Sequence, residues 1–374
     1  MKKNPSIKRK GYSIVVDENM PGIDHLFDDL ADVIRVEGRR IDHSILKGAD
    51  ALLCRSITQV TKALLQNTSV KFVGSATIGI DHLDIAWLDS QGISWANAAG
   101  CNAAAVAQYV LSAVAFWCQS NQKTIEDLTI GIVGAGNVGT ELARCLDQLS
   151  IKYLLFDPPL ERAEDHRKFV SMNDIMECDV ISLHVPMETT GDDPTYHLMG
   201  LKELNLLSEH QLLINASRGA VVDNRALEIY LSNKNSANVI LDVFESEPNI
   251  PRRLLEHCLL ATPHIAGHTL EGKLRGSWII YQNFCQYFDI NAEKTEDSLY
   301  PSPNQIKLIS DDLIANLLAI YDVCSDSNAL TINDDEPIST KFDRLRKNAT
   351  QLANGKTRRD YSGWHYVGGY QLPL

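Results

Sequence analysis

Arg218, Glu247 and His264 are residue types that together can oxidise a 2-hydroxy acid. They stand in three segments, Ile214-Asn-Ala-Ser-Arg-Gly-Ala-Val-Val-Asp223, Leu241-Asp-Val-Phe-Glu-Ser-Glu-Pro248 and Ala261-Thr-Pro-His-Ile-Ala-Gly-His-Thr269. Each lies at or just past the end of an expected strand, where open α/β sheets bind their ligands. The planar guanidinium of Arg218 can clamp a carboxylate. His264 can take the hydroxyl proton as hydride leaves the same carbon. Glu247 can hydrogen-bond the imidazole, fix its orientation and favour its protonated form. Taken singly, each residue has a plain structural use: a surface turn for Arg218, a loop residue for His264, a turn element before Pro248 for Glu247.

The run Thr129-Ile-Gly-Ile-Val-Gly-Ala-Gly-Asn-Val-Gly139 places Gly134, Gly136 and Gly139 as G-x-G-x-x-G. An apolar strand precedes it, and Leu142, Cys145, Leu146 and Leu149 mark one face of a following helix. That context is what a dinucleotide-binding fingerprint requires, since a glycine-rich turn alone would carry little weight. The first glycine permits the turn, the second lets a pyrophosphate approach, and the third packs helix on strand. The helix N-terminus, with Asn137 and Val138, faces the anion. Asp157 ends the next strand 18 residues beyond Gly139, near the spacing for an acid on the ribose 2′-hydroxyl. A carboxylate there repels a 2′-phosphate, so the expected cofactor is NAD and not NADP. The plainer use of Asp157 is to start the Pro158-Pro159 turn.

These groups need parallel strands to carry them. Short β-rich runs begin with Ser13–Val16, Ala51–Cys54, Lys71–Gly74 and Gly92–Trp95, and amphipathic segments separate them. An apolar helix is expected over Ala103–Cys118. Six stronger strands follow: Thr129–Val133, Tyr153–Phe156, Val180–His184, Leu212–Asn215, Val239–Asp242 and Leu259–Thr262. Strands separated by helices imply parallel sheets with crossover helices. Beyond about residue 290 the pattern changes. A polar stretch with Pro301 and Pro303 precedes one expected helix, Leu308–Val323. A mixed tail follows, carrying Lys341, Arg344, Arg346, Lys347, Arg358 and Arg359 with Tyr361, Trp364, Tyr366 and Tyr370.

Composition narrows the remaining classes. The 374 residues are 44% hydrophobic and 22% charged, so a disordered or fibrous chain is excluded as the dominant state. A formal net charge of -13 argues against a general nucleic-acid binder and requires any anion site to be built locally. The eight cysteines include no C-x-x-C pair and read as free thiols in a reducing compartment. No apolar segment follows the basic start, and the run at 103–118 is short for a bilayer, so a cytoplasmic protein without membrane partners is expected. No metal is assigned.

The order of the glycine loop, Ser-Arg-Gly, Asp-Val-Phe-Glu-x-Glu-Pro and Thr-Pro-His-Ile-Ala-Gly resembles the D-isomer-specific 2-hydroxyacid dehydrogenases. Asp17-Glu-Asn-Met-Pro21, Arg55-Ser-Ile-Thr58, Gly74-Ser-Ala-Thr77, Gly100-Cys-Asn102, Thr269-Leu-Glu-Gly-Lys273 and Phe342-Asp-Arg-Leu-Arg-Lys-Asn348 are similar to one branch of that family. That branch oxidises 4-phospho-D-erythronate in vitamin B6 synthesis. The resemblance implies a Rossmann-type NAD domain over 102–266. It also implies a flavodoxin-like α/β substrate domain from 1–101 with 267–290, and a small α+β domain over 291–374 that makes a homodimer. It implies catalytic roles for Arg218, Glu247 and His264. NAD contacts would come from Asp157, Ala216, Ser217, Arg218, Asp242 and Gly267, and contacts to a small phosphorylated hydroxy acid from Ser56 and Thr77. At the substrate-contact position where the family typically has Tyr, this chain has His268, and 349–356 departs from the branch. A dehydrogenase for another D-2-hydroxy acid, such as 3-phosphoglycerate, and an NAD-sensing co-repressor are the alternatives.

Overall fold

The computed structural model describes residues 11–233, 235–302, 304–306, 311–331, 335–350, 357–360 and 364–366. The expectations for Tyr361, Tyr370 and 351–356 lie outside the described residues. The chain divides into two compact units, residues 1–102 with 271–302, and 103–270 with 303–374. The tail from residue 303 therefore groups with the unit that holds the glycine loop.

In the first unit, β1 (Tyr12–Asp17), β2 (Ala31–Val36), β3 (Ala51–Cys54), β4 (Phe72–Ser75) and β5 (Ser94–Asn97) form one parallel sheet. Its order is β2-β1-β3-β4-β5, the flavodoxin-like order. β3 and β4 are buried throughout, as parallel strands covered on both faces must be. β2 was not expected from the sequence. It is an edge strand whose Asp32 and Arg35 interrupt the apolar pattern, and its pairing with β1 from Tyr12↔Ala31 to Asp17↔Val36 defines it. Phe27, Phe72, Tyr281 and Phe284 pack edge to face in this unit's core, so the helix Leu270–Tyr287 contributes its apolar face there.

In the second unit, β6 (Thr129–Val133), β7 (Lys152–Phe156), β8 (Val180–Leu183), β9 (Leu212–Asn215), β10 (Asn238–Leu241) and β11 (Leu260–Ala261) form the six-stranded parallel sheet that the sequence led one to expect. The order is β11-β10-β9-β8-β6-β7, and a bridge from Phe169 to Leu155 extends the β7 edge. The chain moves outward from β6 to β7, then returns to β8 on the other side. The crevice at that reversal is where such sheets bind nucleotides.

The helix Ala103–Asn121 runs to 19 residues and, among the described residues, is long and apolar enough to cross a membrane by length and composition. It is instead a core helix, with Tyr109, Trp117 and Cys118 fully buried. Of the single helix expected over 308–323, residues 308–310 lie outside the described residues, and the remainder is the helix Leu313–Ile320, with a second helix, Val323–Thr331, beginning where the expected one was to end. The break is pinned from afar: Ser112 donates its hydroxyl to the Tyr321 carbonyl at 2.6 Å and accepts the Val323 N–H at 3.3 Å. A further helix, Ile338–Asn348, and the parallel pair β12 (Asn304–Ile306) and β13 (Trp364–Tyr366) complete the unit.

Candidate active site

The sheet of the second unit brings the segments of Arg218, Glu247 and His264 side by side. β9, β10 and β11 are neighbours in register, with Asn215 opposite Leu241 and Leu241 opposite Ala261. Their C-terminal ends therefore deliver the loops of Arg218, Glu247 and His264 to one edge.

Each loop is held by its own polar anchor. Buried Asn215 accepts the Ser217 N–H and hydroxyl at 3.1 and 2.8 Å and donates to the Arg218 carbonyl at 2.9 Å. Asp242 anchors the histidine loop. Its carboxylate accepts the Thr262 hydroxyl at 2.7 Å and the N–H groups of Ile265 and Ala266 at 2.8 and 2.9 Å. With its proton committed to Asp242, the Thr262 oxygen accepts from the Tyr109 hydroxyl at 2.8 Å, which ties the loop to the core helix. Burial pushes the Asp242 carboxyl up, against the positive charge of His264 and these three donors.

His264 sits at φ 56°, a backbone region uncommon for non-glycine residues. Its N–H donates to the Asp242 carbonyl at 2.7 Å, and its Nδ1 meets Glu247 Oε2 at 2.8 Å. The other Glu247 oxygen accepts the Phe244 N–H at 2.9 Å. Burial pushes the Glu247 carboxyl up. The charge and hydrogen bond of His264 outweigh it, helped by the Phe244 N–H and the charge of Arg346, and hold the group below its ordinary value. The pair is an oriented imidazole with Nε2 left for a proton.

The glycine loop turns where β6 ends. Gly134 has φ +92°, and a Cβ there would meet the His184 carbonyl at 2.7 Å. A Cβ on Gly139 would lie 2.1 Å from the Gly134 oxygen, so both positions exclude a side chain. Beside Gly136 there is open space, and the twelve-residue helix Asn137–Gln148 starts there. Its first-turn N–H groups have no partners within the helix and suit a pyrophosphate. Asp157 has its plainer use, starting the turn, and also ties down the glycine loop. Oδ1 accepts the Leu160 N–H at 3.0 Å and caps the helix Pro158–Arg162, while Oδ2 accepts the Ala135 N–H at 2.8 Å.

Ala216, Gly267 and the half-buried His268 lie on these same loops, and the His268 N–H donates to the Ile265 carbonyl at 2.8 Å. Ser56 and Thr77 belong to the first unit. Ser56 is exposed just beyond β3, and the Thr77 hydroxyl bonds Ser75 at 2.7 Å and the Gly79 carbonyl at 3.2 Å. Two groups beside the site escaped the sequence reading. Arg167 reaches the glycine loop from a later segment. His197 contacts Glu245 through Nε2 and lies 3.6 Å from Asp223 through Nδ1, bridging the two loops that carry Arg218 and Glu247. The glycine-loop partners of Arg167 and both acids at His197 are remote in sequence, so no local motif marks these contacts.

Residues 106–266 match the family D-isomer specific 2-hydroxyacid dehydrogenase, NAD binding domain. The erythronate-4-phosphate dehydrogenase of Marinobacter nauticus is 44% identical over 349 residues, covering 89% of this chain and 90% of that protein. The erythronate-4-phosphate dehydrogenase of Yersinia enterocolitica is 42% identical over 341 residues, covering 89% and 90%. Among solved structures, NAD-bound 3-phosphoglycerate dehydrogenase from Entamoeba histolytica superposes with a TM-score of 0.62 at 22% identity, over 74% of this chain and 95% of that one. That likeness speaks for the fold. With the relatives matching along nearly their whole length, the chain belongs to the erythronate-4-phosphate dehydrogenase branch of the D-isomer-specific 2-hydroxyacid dehydrogenases.

Proposed function

We propose that the chain performs the reaction for which its relatives are named, the NAD-dependent oxidation of 4-phospho-D-erythronate to (R)-3-hydroxy-2-oxo-4-phosphooxybutanoate on the route to pyridoxal 5′-phosphate. The observation that carries this reading is the 2.8 Å contact of His264 Nδ1 with Glu247, beside a strand-end arginine in a nucleotide-binding sheet. With Nδ1–H donated to the carboxylate, Nε2 is the basic nitrogen and takes the C2 hydroxyl proton. Glu247 stabilises the imidazolium so formed. Arg218 holds the substrate carboxylate in a forked pair. NAD, when bound along Gly134–Gly139, supplies the acceptor for the C2 hydride. Asp157 meets its ribose, and Ala216, Ser217, Arg218, Asp242 and Gly267 border it. Ser56, Thr77 and His268 contact the substrate.

The chain acts as a homodimer in the cytoplasm. Family resemblance supports residues from 291 onward as the subunit contact, and eight free cysteines suit a reducing compartment. Light scattering on the full chain tests the dimer. The activity is tested by mixing purified protein and NAD with 4-phosphoerythronate, 3-phosphoglycerate or D-lactate and following NADH. Fastest turnover is expected with 4-phosphoerythronate. Preference for 3-phosphoglycerate would overturn the substrate assignment, and no turnover with any of the three would overturn the enzyme.

A further inference from the structure

Beyond Asp157, a cation is built into the edge of the glycine loop. The segment after the helix Pro158–Arg162 runs back beside β7, bridging Phe169 to Leu155. From there Arg167 sends Nη1 to the Ala135 carbonyl at 2.9 Å and to the Thr140 hydroxyl at 2.8 Å. Its Nε and Nη2 grip Asp165 in a forked pair at 2.8 and 2.9 Å. Ala135 is thus held from both ends of its own backbone, the N–H by Asp157 and the carbonyl by Arg167. One anion and one cation share a single residue between Gly134 and Gly136.

We propose that Arg167 is a second determinant of nucleotide choice: a guanidinium stationed at the ribose subsite that receives a 2′-phosphate once Asp157 is removed. The proposal rests on the reading that the nucleotide binds along this loop with Asp157 at the ribose. In the unaltered protein Asp157 and Asp165 carry two negative charges against the single positive charge of Arg167, and the net charge repels a phosphate dianion. Without Asp157 the remaining pair is neutral. Four of the five guanidinium N–H donors are engaged, which leaves one on Nη2 for a phosphate oxygen. The Asp165 pairing is firm: its carboxyl falls to about 2, first through the Arg167 hydrogen bond. Arg167 is pushed up, first by Asp165 and further by the charge of Asp157. Arg167 is 22% exposed at its side chain, so solvent and ligand reach the group.

The test uses direct fluorescence titration of the full chain with NADH and NADPH, with no hydroxy acid present. Asp157→Ser should raise the affinity for NADPH relative to NADH by about tenfold to a hundredfold, the scale of one charge-assisted hydrogen bond. Adding Arg167→Gln should cancel most of that rise, while adding Arg167→Lys should keep part of it. Since Arg167 also braces the loop, the lysine variant guards against a collapsed site. A rise in Asp157→Ser that survives Arg167→Gln unchanged would overturn the role of Arg167, and so would the absence of any rise. Failure of the unaltered protein to bind NADH would instead defeat the nucleotide reading itself. Absence of turnover with intact NADH binding would touch only the substrate assignment.

Discussion

The carboxylate of Glu247 spans two partners, accepting from His264 Nδ1 at 2.8 Å through one oxygen and from the Phe244 N–H at 2.9 Å through the other. The second bond fixes the acid to its own loop, so the first fixes the imidazole ring. Replacing His264 by Ala should lower turnover by about 10²–10⁴-fold, the range for losing a general base. NAD affinity should barely change, because other groups hold the cofactor. Glu247→Gln should cost less, since the amide can still meet Nδ1 and orient the ring but no longer carries the charge that stabilises an imidazolium. Turnover as low as in His264→Ala, or unchanged from the unaltered protein, would contradict the pairing.

A second titration concerns stability. His184 stands at the end of β8, its carbonyl against Gly134, with Nε2 and the Ser182 hydroxyl 2.9 Å apart. Burial pushes its pKa down from 6.5 to about 4. The folded value lies below the unfolded one, so the unfolded chain binds the extra proton across that window. The stabilisation is complete above about pH 6.5 and is lost as pH falls toward about 4. Between about pH 7 and pH 5 this amounts to about 1–2 kcal/mol, given that part of the residue remains at the surface. Urea unfolding of the unaltered protein and of His184→Gln at both pH values would show it. The variant should have a flatter pH dependence, and equal slopes would remove His184 as the sensor.

The extent to which these features could be read in advance follows burial and sequence distance. β6, β8, β9 and β10 are apolar runs because both faces of the sheet are covered, and a run of that kind announces itself. β2 did not, since as an edge strand with five of six residues turned at least partly to solvent it reads as a polar segment. The helix expected through Tyr321 breaks there because Ser112, more than two hundred residues earlier, captures its backbone. The loops of Arg218, Glu247 and His264 were legible because each follows an apolar strand of the sheet, and folding brings those strand ends side by side. Arg167 and His197 were not, since what marks them is a partner brought close only by folding.

The basic helix Ile338–Asn348 separates two arginines that look alike in sequence. Arg344 is exposed and spends its fork on Glu336, at 2.6 and 3.0 Å. Arg346 is half-buried, and its charge reaches Glu247. Arg346, whose charge acts at Glu247, is therefore expected to be the one that attracts a phosphorylated substrate into an otherwise acidic protein. Arg346→Ala should raise KM for the phosphorylated substrate by about tenfold, the lower range for a charge-assisted hydrogen bond. Arg344→Ala should leave it near the unaltered value. An unchanged KM in Arg346→Ala, or equal losses in both variants, would contradict the distinction.

The tail also braces the histidine loop, through a short stretch whose charged residues are buried. Arg358, 1% exposed, lies over the Tyr321 ring at 4.1 Å and within 3.4 Å of Asp326. Its carbonyl accepts the Leu270 N–H at 3.0 Å, and Nη2 approaches the Ala266 carbonyl at 3.5 Å. Two residues on, Asp360 accepts the Thr269 hydroxyl at 3.3 Å, while Gln108 of the core helix donates to the Arg359 carbonyl at 3.1 Å. The loop from His264 to Leu270 is thereby clasped between Asp242 on one side and residues 358–360 on the other. Truncation near residue 290 would remove this brace along with Leu317, Ile320 and Val323 of the nucleotide unit's core, and so would unfold that unit. Arg358→Met is the cleaner change, since it keeps the bulk and removes the charge. Breaking a buried pair costs about 3–5 kcal/mol, and partial exposure of Asp326 puts the expected loss near about 3 kcal/mol. Arg358→Lys, which keeps the cation over Tyr321, should lose about half as much. If the loop is positioned through Arg358, the methionine variant should also lose kcat while NADH affinity holds. Unchanged thermal stability and kcat in Arg358→Met would show that the buried arginine merely fills space.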